Sequence, residues 1–294
     1  MRVVLIDYLE DAERVMAACA DSCNTNSPAH EIHQNISDER AAGIIKYIQE
    51  HGHLSVEEFS SYVFSIEDIS RVATHQLVRH RMATFLQQSM RYNEPSDFKL
   101  VDGKYEPWFI IPPDMVRAAE KSEKGFEDLI SYFELMDASR RIYNEMSGKK
   151  EDRRFVIPHG VKTNISMIAN GREFRETIIP LRTCYTAQWE IRSMAYAMLT
   201  LLKNVSPTLF DVAGPKCITD KCIEKYSGKC EPLTREILDK LEKLEDEIKV
   251  GEYLDLTDII GYRADSELEK RLAEELGLEH PVNLSFEVKI MRMK

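Results

Sequence analysis

The sequence of 294 residues lacks several features by which protein classes are commonly recognised. Its longest mainly apolar stretch, residues 194–202, is too short to span a bilayer, and the acidic side chains among the first twenty residues do not suit a signal peptide. We therefore expect a cytoplasmic protein without a membrane partner. No two of the 12 glycines lie within three positions of each other, so neither a dinucleotide-binding glycine motif nor a P-loop is present.

Positive charge is also in short supply. The chain has 39 Lys and Arg against 50 Asp and Glu, a net charge of −11, so it has no general attraction for nucleic acid. Any anionic ligand must be held by local groups of arginines. The hydrophobic fraction of 43% is ordinary for a globular protein, and we expect most of the chain to fold around a sizeable core.

The six cysteines have no secretory signal to accompany them, and we expect them to be reduced thiols. Four of them could bind zinc together: Cys184, Cys217, Cys222 and Cys230. Their spacing contains no CxxC pair, so we expect no metal and keep the zinc site as the alternative.

Hydrophobic periodicity and capping residues predict an α+β chain, with a mixed sheet flanked by helices. The predicted strands are residues 2–9, 59–64, 161–169 and 282–290, the last of them half-buried at a sheet edge. The predicted helices are residues 12–23, 38–50, one that starts at Ile66 behind a Ser65 cap, 114–148, 187–203, 235–249 and 266–277. A change in composition near Pro232 predicts a main domain of residues 1–232 and a C-terminal α/β extension of residues 233–294, here called the tail.

The densest group of polar side chains lies between Gln76 and Tyr92. If the helix that starts at Ile66 continues through this region, Gln76, Arg79 and His80 share one of its faces, because their separations are three and four residues. These donors suit phosphates and the edges of a base. Composition alone, however, favours a different interpretation, a solvated helix end with ion pairs.

The order of these residues resembles a specific family signature. Arg79-His80-Arg81, followed after seven residues by Ser89 and then by Arg91-Tyr92, is similar to the signature of flavin-dependent thymidylate synthases, the ThyX family. Shorter stretches extend the resemblance over roughly residues 1–232: residues 52–55, 154–158, 181–184 and 187–191. The tail has no counterpart in that pattern.

The resemblance implies a ThyX-like fold and reductive methylation of dUMP to dTMP. It further implies 5,10-methylenetetrahydrofolate as one-carbon donor, FAD as redox cofactor, NADPH as reductant, and a homotetramer whose sites are shared between subunits. The positions implied for FAD are Ser55, Arg79, His80, Arg81, Gln87, Asn170, Arg172 and Thr177. Those implied for dUMP are Gln76, Arg79, Gln87, Gln88, Ser89, Met90, Arg91, Arg154 and Arg182.

Arg182 is the implied catalytic residue, because a guanidinium stays protonated and would favour the ionised form of the uracil ring at N3. A thiolate route is not expected, since no cysteine lies in the Pro-Cys-His context of conventional thymidylate synthases. Ser89 has no evident general base near it in the sequence, and we assign it to dUMP binding rather than to nucleophilic catalysis.

One stretch departs from the family pattern. Members commonly have Asn-Ala-Arg, and then His or Asn five residues before the equivalent of Arg182. Here Asn170-Gly171-Arg172 lies one residue farther from Arg182, and Thr177 occupies the second position, with Pro180 in between. This leaves two alternatives open: a flavoprotein that acts on another uracil nucleotide or with another one-carbon donor, and a non-catalytic nucleotide-binding protein.

Overall fold

The computed structural model describes residues 1–95, 97–222, 224 and 230–294. Within them, six strands form one mixed sheet and two form a hairpin, in agreement with the predicted α+β class. The strands are β1 Arg2–Tyr8, β2 Tyr62–Ser70, β3 Thr84–Gln87, β4 Lys99–Val101, β5 Lys104–Glu106, β6 Lys162–Ala169, β7 Leu254–Asp255 and β8 Lys289–Arg292. The large sheet has the order β3-β6-β2-β1-β8-β7, and β4 pairs with β5.

Helices connect most of the strands along the chain. They are α1 Ala12–Ser22, α2 Ala29–Asn35, α3 Asp38–Glu50, α4 Arg71–Leu77, α5 Pro113–Lys121, α6 Glu123–Glu145, α7 Lys150–Arg153, α8 Ile179–Arg182, α9 Trp189–Val205, α10 Lys216–Thr219, α11 Glu231–Glu242, α12 Thr257–Ile260 and α13 Ser266–Glu275. Short 3₁₀ turns occur at Leu54–Phe59, Arg154–Val156 and Glu245–Glu247, and a π-helical turn at Glu173–Ile178. Among the described residues, no helix is both long and apolar enough to cross a bilayer.

The central strands follow the period of two that half-buried strands show. Along β6, Thr163, Ile165, Met167 and Ala169 are buried, whereas the residues between them are exposed or half-buried. β2 runs antiparallel to both β1 and β6, and α9, which is buried along most of its length, packs against β1 and β8. The predicted helix at residues 187–203 is confirmed, and its apolar stripe forms the centre of the main core.

The tail enters this same sheet. β8 pairs in parallel with β1 and antiparallel with β7, so the prediction of an edge strand is wrong. The alternation of residues 282–290 correctly predicts which side chains are buried, but a period of two carries no information about lateral neighbours. Residues 282–288 meet the rest of the chain through single bridges, such as Tyr105 with Val282. The division at residue 232 stays a prediction.

The region between β2 and α4 corrects another prediction. Residues 66–70 continue β2, and the helix expected at Ile66 begins instead at Arg71. Ile66 and Ile69 are fully buried against the core, and this burial outweighs the capping pattern of Ser65. The actual cap is Ser70, whose Oγ accepts a hydrogen bond from the Ala73 N–H at 3.1 Å.

Two other predicted helices are divided in the structure. Residues 114–148 form α5 and α6, which meet at Ser122, and the Ser122 side chain caps the second of them. Residues 235–249 form most of α11 and then a 3₁₀ turn at Glu245–Glu247.

A buried carboxylate fixes the start of α4. Glu190, in the first turn of α9, accepts hydrogen bonds from Ser70 N at 2.6 Å and from Ser70 Oγ at 2.5 Å. Ser70 Oγ therefore links two groups: it donates to the Glu190 carboxylate and accepts from the Ala73 N–H.

We expect Ser70→Ala to lower the free energy of unfolding by roughly 2–4 kcal/mol, because it removes a helix cap and one of the donors to a buried carboxylate. Ser37→Ala is the matched control, since Ser37 caps α3 through Arg40 N at an exposed position. The control should lose only about 1 kcal/mol. Urea unfolding followed by circular dichroism measures both, and equal losses would contradict a special role for the Ser70–Glu190 contact.

Candidate active site

The Arg79-His80-Arg81 motif lies in a turn and not on a helix. Because α4 ends at Leu77, the prediction that Gln76, Arg79 and His80 share a helix face is wrong. Arg79 and Arg81 are exposed, whereas His80 between them is only 5% exposed. The motif therefore divides into two solvent-accessible guanidinium groups and one buried imidazole.

The buried imidazole meets the predicted catalytic arginine. Arg182, at the end of α8, donates from Nε to His80 Nε2 at 2.9 Å and from a terminal nitrogen to the Gln76 carbonyl at 3.0 Å. The structure thus brings Arg182 into contact with His80 and with the backbone of Gln76, two predicted site residues about a hundred positions earlier in the sequence. Partial burial lowers the pKa of Arg182 from its ordinary value. An arginine guanidinium remains a cation at neutral pH.

The other ring nitrogen of His80 faces a carboxylate that the sequence did not single out. Its Nδ1 lies 3.4 Å from Glu173 Oε1, and both side chains are almost fully buried. Burial raises the pKa of Glu173, and a hydrogen bond from the Thr177 side chain acts in the opposite direction. Burial and the neighbouring Arg182 lower the pKa of His80 to about 4.

The stretch that departs from the family pattern forms a π-helical turn, Glu173–Ile178. A π-helical turn holds one more residue than an α-helical turn, and this accounts for the extra residue before Arg182. Gly171 is packed closely: a Cβ there would lie 2.5 Å from Ser60 Oγ, which also accepts a hydrogen bond from Gly171 N. Position 171 therefore has no room for a side chain unless its neighbours shift.

A second group of arginines surrounds the turn at residues 88–90. Arg91 pairs with Glu151 at 3.0 Å, and Arg154 donates from Nε to the Glu151 carbonyl at 3.1 Å. Arg71, which the sequence analysis missed, donates to the Gln88 carbonyl at 2.8 Å, and its buried Nε has no partner among the described residues. Burial and then the charge of Arg154 lower the pKa of Arg71, as expected for two cations that are close together.

The same turn borders a cavity of about 610 Å³. Gln88, Ser89 and Met90 form one part of its wall, and the tail forms another through Asn283, Ser285, Glu287 and Lys289. No sequence pattern indicated that the tail would lie next to predicted dUMP-binding residues, because that proximity depends on the position of β8 in the sheet.

The residues implied for FAD fall into two groups. Ser55, Arg79, Arg81 and Arg172 are exposed, and Arg79 and Arg81 form no ion pair with any other described residue. Arg172 pairs with Glu58 at 2.5 Å. The remaining members have partners within the chain: Gln87 donates to Thr74, Asn170 accepts from Glu173 N, and His80 and Thr177 contact Glu173.

Two exposed, unpaired guanidinium groups in an acidic protein suit the pyrophosphate of a dinucleotide cofactor. The donor set is thus compatible with FAD, although the individual contacts stay predictions. For the zinc alternative, the described part of the chain offers no group of three or more His, Cys, Asp or Glu residues that could hold a metal ion.

Comparison with known proteins shows the family of the chain. Residues 4–208 match the family model described as thymidylate synthase complementing protein. The chain belongs to that family, the ThyX family. It is 40% identical over 220 residues to the flavin-dependent thymidylate synthase of Sulfolobus acidocaldarius, which covers 74% of this chain and 78% of the relative.

Two further relatives bear the same name. Identity is 39% over 243 residues with the protein of Sulfurisphaera tokodaii, covering 82% of this chain and 87% of the relative. It is 37% over 224 residues with that of Geobacter sulfurreducens, covering 76% and 91%. The family resemblance seen in the Arg79-to-Tyr92 signature is therefore confirmed.

The lowered pKa of His80 predicts a pH dependence of stability. Above pH 6.5 the ring is neutral in both the folded and the unfolded chain. As the pH falls from 6.5 to about 4, the unfolded chain takes up a proton on this ring and the folded chain does not, so stability is lost by up to about 3 kcal/mol. Arg182 and Glu173 are the charged groups that face the ring.

We therefore expect His80→Gln to show a shallower loss of unfolding free energy over this pH range than the unsubstituted protein, measured by urea unfolding at several pH values. Replacing the exposed His53 by Gln is the control and should leave the slope unchanged. Parallel curves for His80→Gln and the unsubstituted protein would contradict the assignment.

Proposed function

We propose that this chain is a flavin-dependent thymidylate synthase that converts dUMP to dTMP. In this reaction 5,10-methylenetetrahydrofolate supplies the carbon of the new methyl group, and NADPH supplies the two electrons through FAD. Family membership and the names of the relatives support the flavin-dependent synthase activity. The observation that carries the proposal for this chain is the fixed guanidinium of Arg182 beside the signature motif.

Arg182 would stabilise negative charge on the uracil ring. Two contacts hold its side chain, and no carboxylate among the described residues forms an ion pair with it. Its positive charge is therefore available to a ligand. A cation at N3 favours the ionised ring and so increases electron density at the carbon that is alkylated.

The nucleotide phosphate would be held by the turn at residues 88–90 and the arginines beside it. Arg154 and Arg91 are members of the implied dUMP set. Arg71 adds a further cation to that set, and it also donates a hydrogen bond to the Gln88 carbonyl. Phosphate binding explains why two guanidinium groups, Arg71 and Arg154, lie close together in a protein with a net charge of −11.

Arg79 and Arg81 would hold the FAD pyrophosphate, with Ser55 and Arg172 as further polar contacts at the exposed surface. When it is bound, the flavin supplies hydride chemistry that no side chain offers. The protein's own part is to bind and orient the cofactor and the nucleotide and to stabilise charge on the substrate.

A homotetramer with shared sites accounts for the apolar surface near the motif. Met82, Leu86 and Tyr92 are more than 70% exposed, and Phe155 is 85% exposed. Large apolar side chains that flank binding residues on a surface are typical of an interface between subunits. We propose that further copies of this chain cover them and complete each site.

Purification and complementation test the proposed function directly. The purified protein should absorb as a flavoprotein or take up added FAD, and its gene should support growth of a thymidine-requiring strain. A protein that binds no flavin would favour the non-catalytic alternative. A flavoprotein that fails to complement would favour another uracil nucleotide or another one-carbon donor.

For Arg182 we expect Arg182→Lys to bind dUMP measurably and to turn over far more slowly. Lysine keeps the charge but lacks the planar group that contacts both His80 and Gln76. The interaction that is lost stabilises mainly the transition state, in which negative charge develops on the uracil ring. Isothermal titration gives the dUMP affinity, and steady-state kinetics give kcat. A loss of affinity without a separate loss of kcat would contradict the proposed role.

For the shared site we expect activity to return when inactive Arg182→Ala and Ser89→Ala chains are mixed. If the two residues of one site come from different subunits, some hybrid tetramers contain sites without either substitution. Subunit exchange is verified by native mass spectrometry. Verified exchange without recovered activity would mean that one chain supplies both residues to each site.

A further inference from the structure

The direction of the hydrogen bond between Arg182 and His80 fixes the state of the imidazole. Arg182 Nε carries a hydrogen and can only donate, so His80 Nε2 must be the acceptor at the 2.9 Å contact. A neutral imidazole with an accepting Nε2 carries its proton on Nδ1. The ring that holds Arg182 must therefore be neutral and in the Nδ1–H form.

Glu173 provides the partner that this form requires. Its Oε1 lies 3.4 Å from Nδ1, in surroundings where the side chains of His80 and Glu173 are 4% and 8% exposed. A carboxylate that faces this nitrogen stabilises the Nδ1–H form and disfavours the alternative in which Nδ1 presents a lone pair to it. The contact thus selects the Nδ1–H tautomer. Because both side chains are buried, water cannot easily take the place of Glu173.

The π-helical turn sets the position of Glu173. The residue begins the turn Glu173–Ile178, its N–H donates to Asn170 Oδ1 at 2.9 Å, and its carboxylate receives a hydrogen bond from Thr177. Arg182 follows at the end of α8, directly after the same turn. One short segment therefore supplies both the carboxylate and the guanidinium that contact opposite sides of the His80 ring.

We propose that Glu173 is a positioning residue for the reaction: through His80 it fixes the tautomer that holds the Arg182 guanidinium against the uracil ring. The catalytic consequence of this inference rests on the proposed function. The arrangement of Glu173, His80 and Arg182 is present in the protein without substrate. The role requires a hydrogen-bond acceptor at position 173, and an amide oxygen can serve as well as a carboxylate.

The test compares three variants with the unsubstituted protein. Glu173→Leu removes the acceptor, Glu173→Gln retains one, and Glu176→Leu is the control, because Glu176 is an exposed carboxylate on the same turn. Nitrogen NMR of ¹⁵N-histidine-labelled protein reports which ring nitrogen of His80 carries the proton, and the His80→Gln protein assigns that signal. Circular dichroism and thermal unfolding check that each variant folds.

In the unsubstituted protein we expect the proton on Nδ1, and in Glu173→Leu a mixture of tautomers. Glu173→Leu should lower kcat about 10- to 100-fold, as expected when a catalytic group is misplaced, with a smaller change in dUMP affinity. Glu173→Gln should restore the tautomer and most of kcat, and Glu176→Leu should match the unsubstituted protein.

Two results would overturn the proposal: a proton on Nε2 in the unsubstituted protein, or a folded Glu173→Leu protein with unchanged tautomer and kcat. If Glu173→Leu does not fold, the tautomer in the unsubstituted protein and in Glu173→Gln still decides the question. An unsubstituted protein that shows the Nδ1–H form but does not methylate dUMP would refute the proposed function and leave the Glu173–His80–Arg182 arrangement standing.

Discussion

The site depends on a single buried contact, in which the Glu190 carboxylate accepts from both the N–H and the hydroxyl of Ser70. Burial raises the pKa of Glu190, and the bonds from Ser70 offset part of that cost. The contact joins the first turn of α9 to the first turn of α4. Because α4 is only seven residues long, fixing its start also fixes the turn with His80 three residues beyond its end.

From that turn, polar contacts continue to the predicted catalytic residue. Glu173, His80 and Arg182 form a series of an acid, a neutral ring and a cation. Because the neutral ring lies between them, Arg182 is held without direct contact with a carboxylate of the described residues. In contrast, Arg91 and Arg172 form direct ion pairs with Glu151 and Glu58. An acidic protein can in this way keep a partly buried cation whose field is not cancelled by its immediate neighbours.

The sequence predicted the helices that have a periodic hydrophobic pattern and the site residues that match the family. Periodicity located α3 and α9 well, and the family resemblance named Gln76, His80 and Arg182, which the structure brings into contact. Local patterns failed where a distant contact decides the outcome. The cap of α4 is Ser70, which Glu190 binds, and not Ser65. Glu173 contacts His80, which lies 93 positions earlier in the sequence. No local sequence pattern contains either relation.

The tail shows why a family signature and a folding unit need not coincide. The family match ends at residue 208, yet β8 lies between β1 and β7 in the central sheet, and Val288 and Ile290 belong to the main core. Without β8, the edge of β1 would lose its parallel partner and expose unpaired backbone groups. The tail also borders the cavity beside Ser89, through Ser285 and Lys289. The tail therefore supports both the sheet that carries the signature and one wall next to the turn that the signature defines.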